Sequence, residues 1–485
     1  MPILRRPAAI VAVALTGALL ATGTASAGTT TLGQPAPISG PTPFDACPSS
    51  DPTQFRVNSE TETMIAVNPA NPRHIATIWQ QDRFLQGSSR GIVVAVSLNA
   101  GRTWKRVALP GMSCPTLPGR ATNPWLSFSP DGTLHATATI TGTQNAVYAT
   151  RSTDGGSTWS PVSVLASDPI VERFSDKQTT TVDPADPQRV YTVWNRQIKS
   201  ERRSEILLAT STDGGTSWEP ARPIYSPPAP AATVGNQIVV LRDGTLLNLF
   251  FQNDLPIGSP PSPNLTDHVK VIRSTDHGVT WSQPVTIADV RLNIPLLPDT
   301  FRPLIAPGLV PDIAVDPVTG AVYVVWGDAN LSTSRSAVGL SASYDGGLTW
   351  SAPQRVDRAP ESPAGGAGQA FLPQVDVARN GTVAVTYYDF RNNTPEPGAT
   401  TDYWMVTCKG RLCGRTGGTW RERHLAGPFA VDTAGASFGG PFIGTYVGLT
   451  HRRGSFLSAF VMTTGDPANP QDVFVVCTPA TPWAP

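Results

Sequence analysis

Arginines and carboxylates stand together at the ends of several strand-like segments of this 485-residue chain. The groups are Asp82-Arg83 and Asp389-Phe390-Arg391, and a loop that leads into a strand adds Arg56 with Glu60 four residues later. A guanidinium binds a carboxylate through two parallel hydrogen bonds, so arginines gathered around one axis would suit a ligand that carries a carboxylate. For any single pair the structural alternative is stronger, because Asp and Arg can also cap strand ends and tie neighbouring strands together.

Other chemistries lack the residue patterns that they need. The sequence has no Gly-rich phosphate loop and no Ser-His-Asp arrangement, and its 6 histidines stand at no ligand spacing to a cysteine. No metal and no other cofactor is therefore predicted. Lys plus Arg (36) balance Asp plus Glu (36), which argues against nucleic acid as a partner, since phosphate binding needs a basic excess.

The first 27 residues have the pattern of an export signal. Arg5 and Arg6 precede an apolar segment from Ala9 to Leu20, and Ala25-Ser26-Ala27 is a small-residue cleavage site. We expect cleavage after Ala27 and a secreted protein. No later segment reaches the roughly 18 apolar residues that a membrane-spanning helix needs.

Five cysteines fit an oxidising compartment. Cys408 and Cys413 are close enough in sequence to close a small loop. Cys47 has two possible partners, Cys114 and Cys477, and the sequence alone leaves that choice open.

An octapeptide that ends in Trp is repeated along the chain. Good copies run from Ser152 to Trp159 (STDGGSTW), Ser211 to Trp218 (STDGGTSW), Ser274 to Trp281 (STDHGVTW) and Ser343 to Trp350 (SYDGGLTW). A weaker copy ends at Trp104 and a degraded copy at Trp420. Each follows a strand-like segment, which predicts a turn between two strands.

The residues of the octapeptide suit a structural turn better than a ligand site. Asp accepts backbone N–H groups of its own turn, Gly adopts positive φ without steric cost, and Trp offers a large apolar surface. The predicted structural residues are Asp154, Trp159, Asp213, Trp218, Asp276, Trp281, Asp345 and Trp350.

A longer repeat surrounds each octapeptide and predicts an all-β propeller of four-stranded antiparallel blades. Seven copies of a strand–turn–strand unit favour seven blades, with six as the alternative. Their innermost strands are predicted to begin near residues 63, 125, 178, 236, 311, 373 and 443. We assign residues 28–52 to a Pro/Thr/Gly-rich lead-in and 53–485 to the propeller. A strand near Phe55 to Asn58 would complete the last blade, and a Cys47–Cys477 bridge would lock it.

Propeller geometry gathers the polar strand ends on one face. If the first strand of each blade is innermost, the octapeptide turns lie on the bottom face and the ends of the second strands lie on the top face. The loops that lead into the first strands add further polar residues there. They are Arg56, Glu60, Glu62, Arg120, Arg173, Asp176, Lys177, Arg302, Gln374 and Tyr446.

The octapeptides resemble the Asp boxes, or BNR repeats, of the sialidase superfamily. The resemblance implies a propeller fold and, in the enzymes of that superfamily, exo-glycosidase activity that releases terminal sialic acid. Those enzymes use a Tyr nucleophile paired with a Glu, an Asp acid/base and three Arg that hold the sugar carboxylate. Carried onto this sequence, the resemblance implies Tyr446 or Tyr388 as nucleophile, Asp82 or Glu60 as acid, and Arg56, Arg83, Arg302 and Arg391 as the carboxylate clamp.

Two functions remain open on the sequence. The first is an exo-sialidase-like glycoside hydrolase that cleaves terminal acidic sugars from glycans. The alternative is a secreted, non-catalytic propeller that binds glycan or protein through its top face. The loop from Phe84 to Arg90 has no carboxylate, which favours the alternative. In either case we expect a monomer whose partner is a glycan or glycoconjugate.

Overall fold

A computed structural model describes residues 33–47, 52–255, 267–292, 294–305, 310–362, 366–394, 398–415 and 418–480. The predicted signal peptide, residues 1–27, lies outside these ranges. The described residues form β-strands joined by turns and a few short 3₁₀ turns, so the predicted all-β propeller class is confirmed. The 3₁₀ turns span Pro52–Gln54, Lys199–Glu201, Ala329–Leu331, Gly410–Gly414 and Val431–Thr433.

Four-stranded antiparallel units follow one another along the chain, and a short strand, β1 (Ala36–Pro37), precedes them. The first unit contains β2 (Thr61–Val67), β3 (Ile75–Arg83), β4 (Ser89–Ser97) and β5 (Lys105–Ser113). The second contains β6 (Arg120–Phe128), β7 (Leu134–Thr141), β8 (Gln144–Ser152) and β9 (Ser163–Pro169). The third contains β10 (Arg173–Val182), β11 (Val190–Ile198), β12 (Arg203–Ser211) and β13 (Arg222–Tyr225).

The next three units repeat this order. The fourth contains β14 (Ala232–Val240), β15 (Leu246–Asn253), β16 (Asp267–Ser274) and β17 (Val285–Val290). The fifth contains β18 (Asp312–Val315), β19 (Val322–Asp328), β20 (Ala337–Ser343) and β21 (Gln354–Arg355). The sixth contains β22 (Ala370–Val377), β23 (Thr382–Asp389), β24 (Thr400–Lys409) and β25 (Arg421–Ala430).

The last unit is built from both ends of the described chain. After a small hairpin of β26 (Ala436–Ser437) and β27 (Gly440–Pro441) come β28 (Gly448–Arg452), β29 (Ser455–Asp466) and β30 (Asn469–Pro479). Strand β1 pairs with β30 and completes the sheet, with Ala36 opposite Val475. The strand predicted at Phe55 to Asn58 is therefore wrong: Phe55 instead forms a single bridge with Phe84 of the first unit.

The innermost strands surround a common axis. Each of β2, β6, β10, β14, β18, β22 and β28 contacts the innermost strand of the next unit, and β28 contacts β2, which closes the ring. Apolar side chains fill the space between neighbouring sheets. One buried cluster joins Ile78 and Val94 of the first unit to Leu126 and Ala136 of the second. Sheets covered on both faces explain why strands such as β3 and β4 are buried along their whole length.

The octapeptides form the turns between the third and fourth strands of their units. In the second unit, Asp154 accepts hydrogen bonds from the backbone N–H groups of Ser157 (3.0 Å) and Thr158 (2.9 Å). Gly155 and Gly156 have φ of 78° and 87°, which a residue with a side chain rarely adopts. Because of these hydrogen bonds, Asp154 is used within its own turn. Trp159 is only half-buried, as are the tryptophans of the other three good copies.

The cysteines pair in one of the two ways that the sequence allowed. Cys47 is bonded to Cys114 and Cys408 to Cys413, while Cys477 is a buried free thiol. The bridge from Cys47 to Cys477 that would have locked the ring is wrong. Residues 33–47 are part of the predicted lead-in. They are attached to the propeller by the pairing of β1 with β30 and by the disulfide from Cys47 to Cys114, which directly follows β5.

Candidate functional site

A bulge recurs at the top of the innermost strands. The pairing of β2, β6, β10, β14 and β22 with their neighbours shifts register at the same point of each strand. One residue of each bulge has positive φ, between 52° and 69°: Glu62, Asn123, Lys177, Gly235 and Leu372. Left-handed backbone at a residue with a side chain costs about 1–3 kcal/mol and is tolerated where the surrounding structure requires it. Bulges of this kind re-aim a side chain.

Two of these side chains, Glu62 and Asn123, meet around the ammonium group of a third, Lys177. The Nζ atom of Lys177 donates to Glu62 Oε1 at 2.7 Å, to Asn123 Oδ1 at 2.8 Å and to Thr445 Oγ1 at 2.7 Å. Thr445 lies just before β28 and donates to the same Glu62 oxygen at 2.6 Å. One cation thus joins the first, second, third and last units at the axis.

Asp176 completes this group from the strand that carries Lys177. Its Oδ1 accepts from Asn123 Nδ2 at 2.5 Å and from the backbone N–H of Lys177 at 3.0 Å. We call Glu62, Asn123, Asp176, Lys177 and Thr445 the axial cluster. Glu62 is buried, whereas Asp176 and Lys177 are partly exposed. Asp176 and Lys177 are therefore the members of the axial cluster with surface open to solvent.

Arg83, at the end of β3, borders the axial cluster. Its guanidinium lies 3.8 Å from the ring centroid of Phe442 and donates to Gln80 Oε1 at 2.6 Å, while Gln80 Nε2 donates to Glu62. Burial lowers the pKa of Arg83 to about 10, against the opposing effect of Glu62. Arg83 therefore remains a cation at neutral pH, linked to Glu62 through Gln80.

The two carboxylates of the axial cluster have opposite pKa shifts. Burial alone would raise the pKa of Glu62, but the charges of Lys177 and Arg83 outweigh it and lower that pKa below its ordinary value. Burial raises the pKa of Asp176, and Glu62 raises it further, against the lowering by Lys177 and Asn123. One carboxylate thus favours its ionised form while its neighbour holds a proton more tightly.

Tyr446 lies beside the axial cluster. The Nζ atom of Lys177 is 5.7 Å from its ring centroid, and its hydroxyl donates to the carbonyl oxygen of Pro124 at 2.7 Å. Burial, with Glu62 and Asp176 nearby, raises the pKa of Tyr446 well above its ordinary value. A small cleft adjoins these groups, lined by Trp125, Lys177, Gln178, Thr179, Gly235, Val310 and Tyr446.

Tyr388, the other predicted nucleophile, lies away from the axis. It is fully buried between the sixth and last units, where its ring stacks near Phe371 and Tyr403. Its hydroxyl donates to the carbonyl of Val461 and accepts from the N–H of the same residue, both at 3.0 Å. Tyr388 does not reach the axis because β23 lies between two sheets and is buried along its whole length.

Arg391 is occupied by carboxylates of its own unit. Its Nε donates to Asp389 at 2.6 Å and its NH1 group to Glu422 at 2.6 Å, and the guanidinium stacks 3.9 Å from the ring centroid of Trp404. Because Glu422 belongs to the outer strand β25, Arg391 points outward from the axis. It does not join the predicted clamp.

The two predicted acids are also held by the scaffold. Asp82 is fully buried, pairs with Arg90 at 3.2 Å and accepts from Thr42 at 2.7 Å. Glu60 is fully buried, receives a hydrogen bond from Gln81, and has its pKa raised well above the ordinary value by burial and by nearby Asp472. Neither carboxylate reaches the top-face solvent.

The remaining predicted arginines lie at the surface. Arg56 is exposed, and its backbone N–H donates to the carbonyl of Arg83 at 2.8 Å. Arg302 is exposed on the loop before β18, and its NH2 group donates to the carbonyl of Gly439 at 3.2 Å. Of the four predicted clamp residues, only Arg83 borders the axial cluster.

Sequence reasoning placed Glu62, Asp176 and Lys177 on the top face but did not select them, and it missed Asn123 and Thr445. A signal was present. When the inner strands are aligned, the bulge position holds Asn123 and Gly235 in two units, and both residue types tolerate positive φ. Within the described residues, no three or more His, Cys, Asp or Glu side chains are arranged to hold a metal ion.

The family comparison places part of the chain among known repeats. Residues 83–233 match the family profile described as the BNR repeat-like domain. The predicted relationship to BNR-repeat propellers is confirmed over this region, which spans β4 to β13 and includes Asn123, Asp176 and Lys177 of the axial cluster.

No curated protein matches the sequence. Solved structures with a similar fold include an α-L-arabinanase of Penicillium chrysogenum in complex with arabinobiose (11% identity, 94% of this chain and 98% of that chain, TM-score 0.48). An α-L-arabinofuranosidase of Fusarium graminearum with an iminosugar inhibitor gives 12% identity, 94% and 98% coverage, and TM-score 0.48. A Hadza microbial sialidase gives 15% identity, 85% and 75% coverage, and TM-score 0.46. At these values the likenesses carry no argument about activity.

Among the residues that the structure describes, none belongs to a helix with the length and apolar character needed to cross a membrane.

Proposed function

We propose that this BNR-repeat propeller is a secreted, monomeric glycoside hydrolase whose axial cluster cleaves a terminal acidic sugar from a glycan. The observation that carries the proposal is the pair of neighbouring carboxylates, Glu62 and Asp176, with pKa values shifted in opposite directions. Glycosidases of the two-carboxylate type need one protonated and one ionised carboxyl group, and opposite environments supply this difference.

Asp176 is the general acid of the proposed reaction. It is partly exposed, and it gives its proton to the glycosidic oxygen as the bond between that oxygen and the anomeric carbon breaks. The ionised carboxylate of Glu62 then faces the positive charge that develops on the sugar ring. Tyr446 is the candidate nucleophile: its hydroxyl leaves the carbonyl of Pro124, gives its proton to Glu62 and bonds to the anomeric carbon. Water, deprotonated by Asp176, then displaces the tyrosine oxygen, which takes its proton back from Glu62.

An acidic sugar is supported by the charges on the top face. Lys177 and Arg83 lie at the axial cluster, and Arg302 and Arg56 are exposed around it. These cations would attract a substrate carboxylate and steer it towards the axis. Secretion is supported by the two disulfides, since such bonds persist in oxidising compartments.

A second candidate function has its own observation. All three donors of the Lys177 ammonium are used inside the protein, and the Tyr446 hydroxyl is hydrogen-bonded as well. A cluster with satisfied donors can serve as a structural tie between units. In that case the chain is a non-catalytic propeller that binds a glycan on its top face.

The test is hydrolysis of fluorogenic glycosides by the purified mature protein between pH 4 and 8. An α-sialoside and a β-glucuronide represent acidic sugars, and a β-galactoside represents a neutral one. We expect turnover of an acidic glycoside, and Asp176→Asn should lower kcat by about 10²–10⁴-fold. The loss should shrink for a dinitrophenyl aglycone, whose oxygen leaves without protonation. Tyr446→Phe should abolish turnover if the tyrosine oxygen attacks the anomeric carbon, and it should leave turnover largely intact if water attacks instead.

Asp289→Asn is the matched control, because the Asp289 side chain is 68% exposed on an outer strand and contacts His268. It should leave kcat and the melting temperature unchanged. Absence of turnover for every glycoside, with a folded wild-type protein, would reject the hydrolase and leave the glycan-binding function.

A further inference from the structure

An unusual turn stands on the top face between the sixth and last units. Strands β26 and β27 are joined by the two residues Phe438 and Gly439, with Ser437 paired to Gly440. Phe438 and Gly439 have φ of 50° and 85°, as a type I′ turn requires at both central positions. Asn-Gly is the favoured sequence for this turn, so a phenylalanine here adopts a conformation for which its residue type is poorly suited.

A second phenylalanine shows the same combination on a neighbouring loop. Phe301 has φ of 55° and is 58% exposed, and Phe438 is 63% exposed. Large apolar side chains held both in left-handed backbone and in solvent do not serve the core. The ring tip of Phe438 rests on Gly87, where a Cβ atom would lie only 2.6 Å from the ring, so the ring has a fixed support.

Hydrogen bonds link the loop that carries Phe301 to the hairpin that carries Phe438. The N–H of Phe438 donates to the carbonyl of Leu85 at 2.7 Å, and Arg302 donates to the carbonyl of Gly439 at 3.2 Å. The N–H of Ile305 donates to the carbonyl of Pro441 at 3.1 Å. The β26–β27 hairpin is therefore attached to the first unit on one side and to the loop of Phe301 on the other.

The same hairpin contacts the border of the axial cluster. Ser437 Oγ accepts from Arg83 Nε at 3.2 Å, and Phe442, just after β27, lies under the Arg83 guanidinium. The exposed phenylalanine is thus one residue away from a direct contact to Arg83. A molecule that extends from the axial cluster along this hairpin meets Phe438 next.

We propose that Phe301, Arg302 and Phe438 form a rim subsite that binds a carboxylated sugar residue of an oligosaccharide extending from the axial cluster. This rests on the proposed function and deepens it, because it assigns an oligomeric anionic glycan as the substrate class. The C–H groups of a sugar ring pack on the face of an aromatic ring, and a guanidinium binds a carboxylate. Among the described residues, no carboxylate lies within ion-pair distance of Arg302, so its charge is available to a ligand.

The experiment measures binding by titration calorimetry with trigalacturonate as the carboxylated probe and cellotriose as the neutral one. All variants carry Asp176→Asn, so that the probe is not consumed. Phe438→Asn restores the residue that the turn prefers, and it should keep or raise the melting temperature while it weakens trigalacturonate binding at least tenfold. Phe301→Asn should weaken it similarly. Arg302→Gln should weaken trigalacturonate more than cellotriose.

Leu412→Asn is the matched control, since Leu412 is 61% exposed in the turn that follows β24, at the opposite end of that strand from the top face. It should bind like the Asp176→Asn background. Binding of trigalacturonate that is undetectable, or is unchanged in both phenylalanine variants, would overturn the rim subsite. If these variants bind normally while Asp176→Asn abolishes glycoside turnover, the rim subsite is wrong and the hydrolase stands. If they lose binding and no glycoside is turned over, the rim subsite stands in a glycan-binding propeller.

Discussion

Replacement of Lys177 by methionine removes the cation that forms an ion pair with Glu62. The Lys177 Nζ and Glu62 Oε1 atoms are 2.7 Å apart, and the two side chains are 13% and 1% exposed. At an effective dielectric constant of about 20, this separation corresponds to a gross attraction of about 6 kcal/mol. The desolvation of both charges offsets part of it. Loss of one partner from a buried pair costs about 3–5 kcal/mol, because the other charge stays buried.

We therefore expect Lys177→Met to lower the free energy of unfolding by about 3–5 kcal/mol, measured by urea denaturation at pH 7. Glu62→Gln removes the partner charge, so the double variant should be more stable than the sum of the single changes predicts. Lys199→Met is the control, since Lys199 is exposed and donates to the carbonyl of Ile170; its effect should stay within about 0.5 kcal/mol. A loss below 1 kcal/mol for Lys177→Met, or strict additivity in the double variant, would refute the axial ion pair.

Three further predictions concern pH and covalent structure. Burial raises the pKa of Asp312 from 3.8 to about 7. The contribution of Asp312 to stability is therefore complete below pH 3.8 and is lost as the pH rises through 7. In urea denaturation, Asp312→Asn should be up to about 4 kcal/mol more stable than wild type at pH 8 and similar to it at pH 4. Hydrogen bonds from Ser217 lower the pKa of Asp213 to about 2. The contribution of Asp213 to stability is therefore present above pH 3.8 and is lost as the pH falls towards 2. The melting temperature of Asp213→Asn should depend less on pH across that range than that of the wild type. Mass spectrometry after alkylation should find one modified thiol, Cys477, and only once the protein is unfolded; modification of the native protein would contradict its burial.

The propeller class could be predicted because its determinants are local. An octapeptide such as Ser152 to Trp159 contains the complete turn, with its own hydrogen-bond acceptor and its glycines. The short strand β1 could not be predicted in the same way. Ala36–Pro37 is two residues long and includes a proline, so it has neither the alternation nor the β-propensity of a strand. Its pairing with β30 is decided by the shape of the closed ring.

The axial cluster was harder to predict because it depends on backbone conformation. Glu62 and Lys177 adopt positive φ, which neither residue type favours, so nothing local shows that their side chains turn to the axis. Tyr388 illustrates the opposite case. It stands at the end of β23, as a top-face residue should, but the sheets on both sides of β23 bury it and its hydroxyl bonds to Val461. The polar face could thus be predicted from residue type and charge. Which of its residues contact one another is decided by tertiary packing.

The pairing of β1 with β30 also sets the order in which the molecule can be completed. The first six units are each contiguous in sequence, so each can assemble as soon as its own four strands are available. The last unit needs residues from both ends of the described chain, Ala36 and Val475 among them. The pairing closes a loop that runs from β1 to β30. Because the entropic cost of closing a loop grows only slowly with its length, the pairing can form after the other units. Until that pairing forms, the outer edge of β30 is unpaired, so this strand can pair with another chain during the interval.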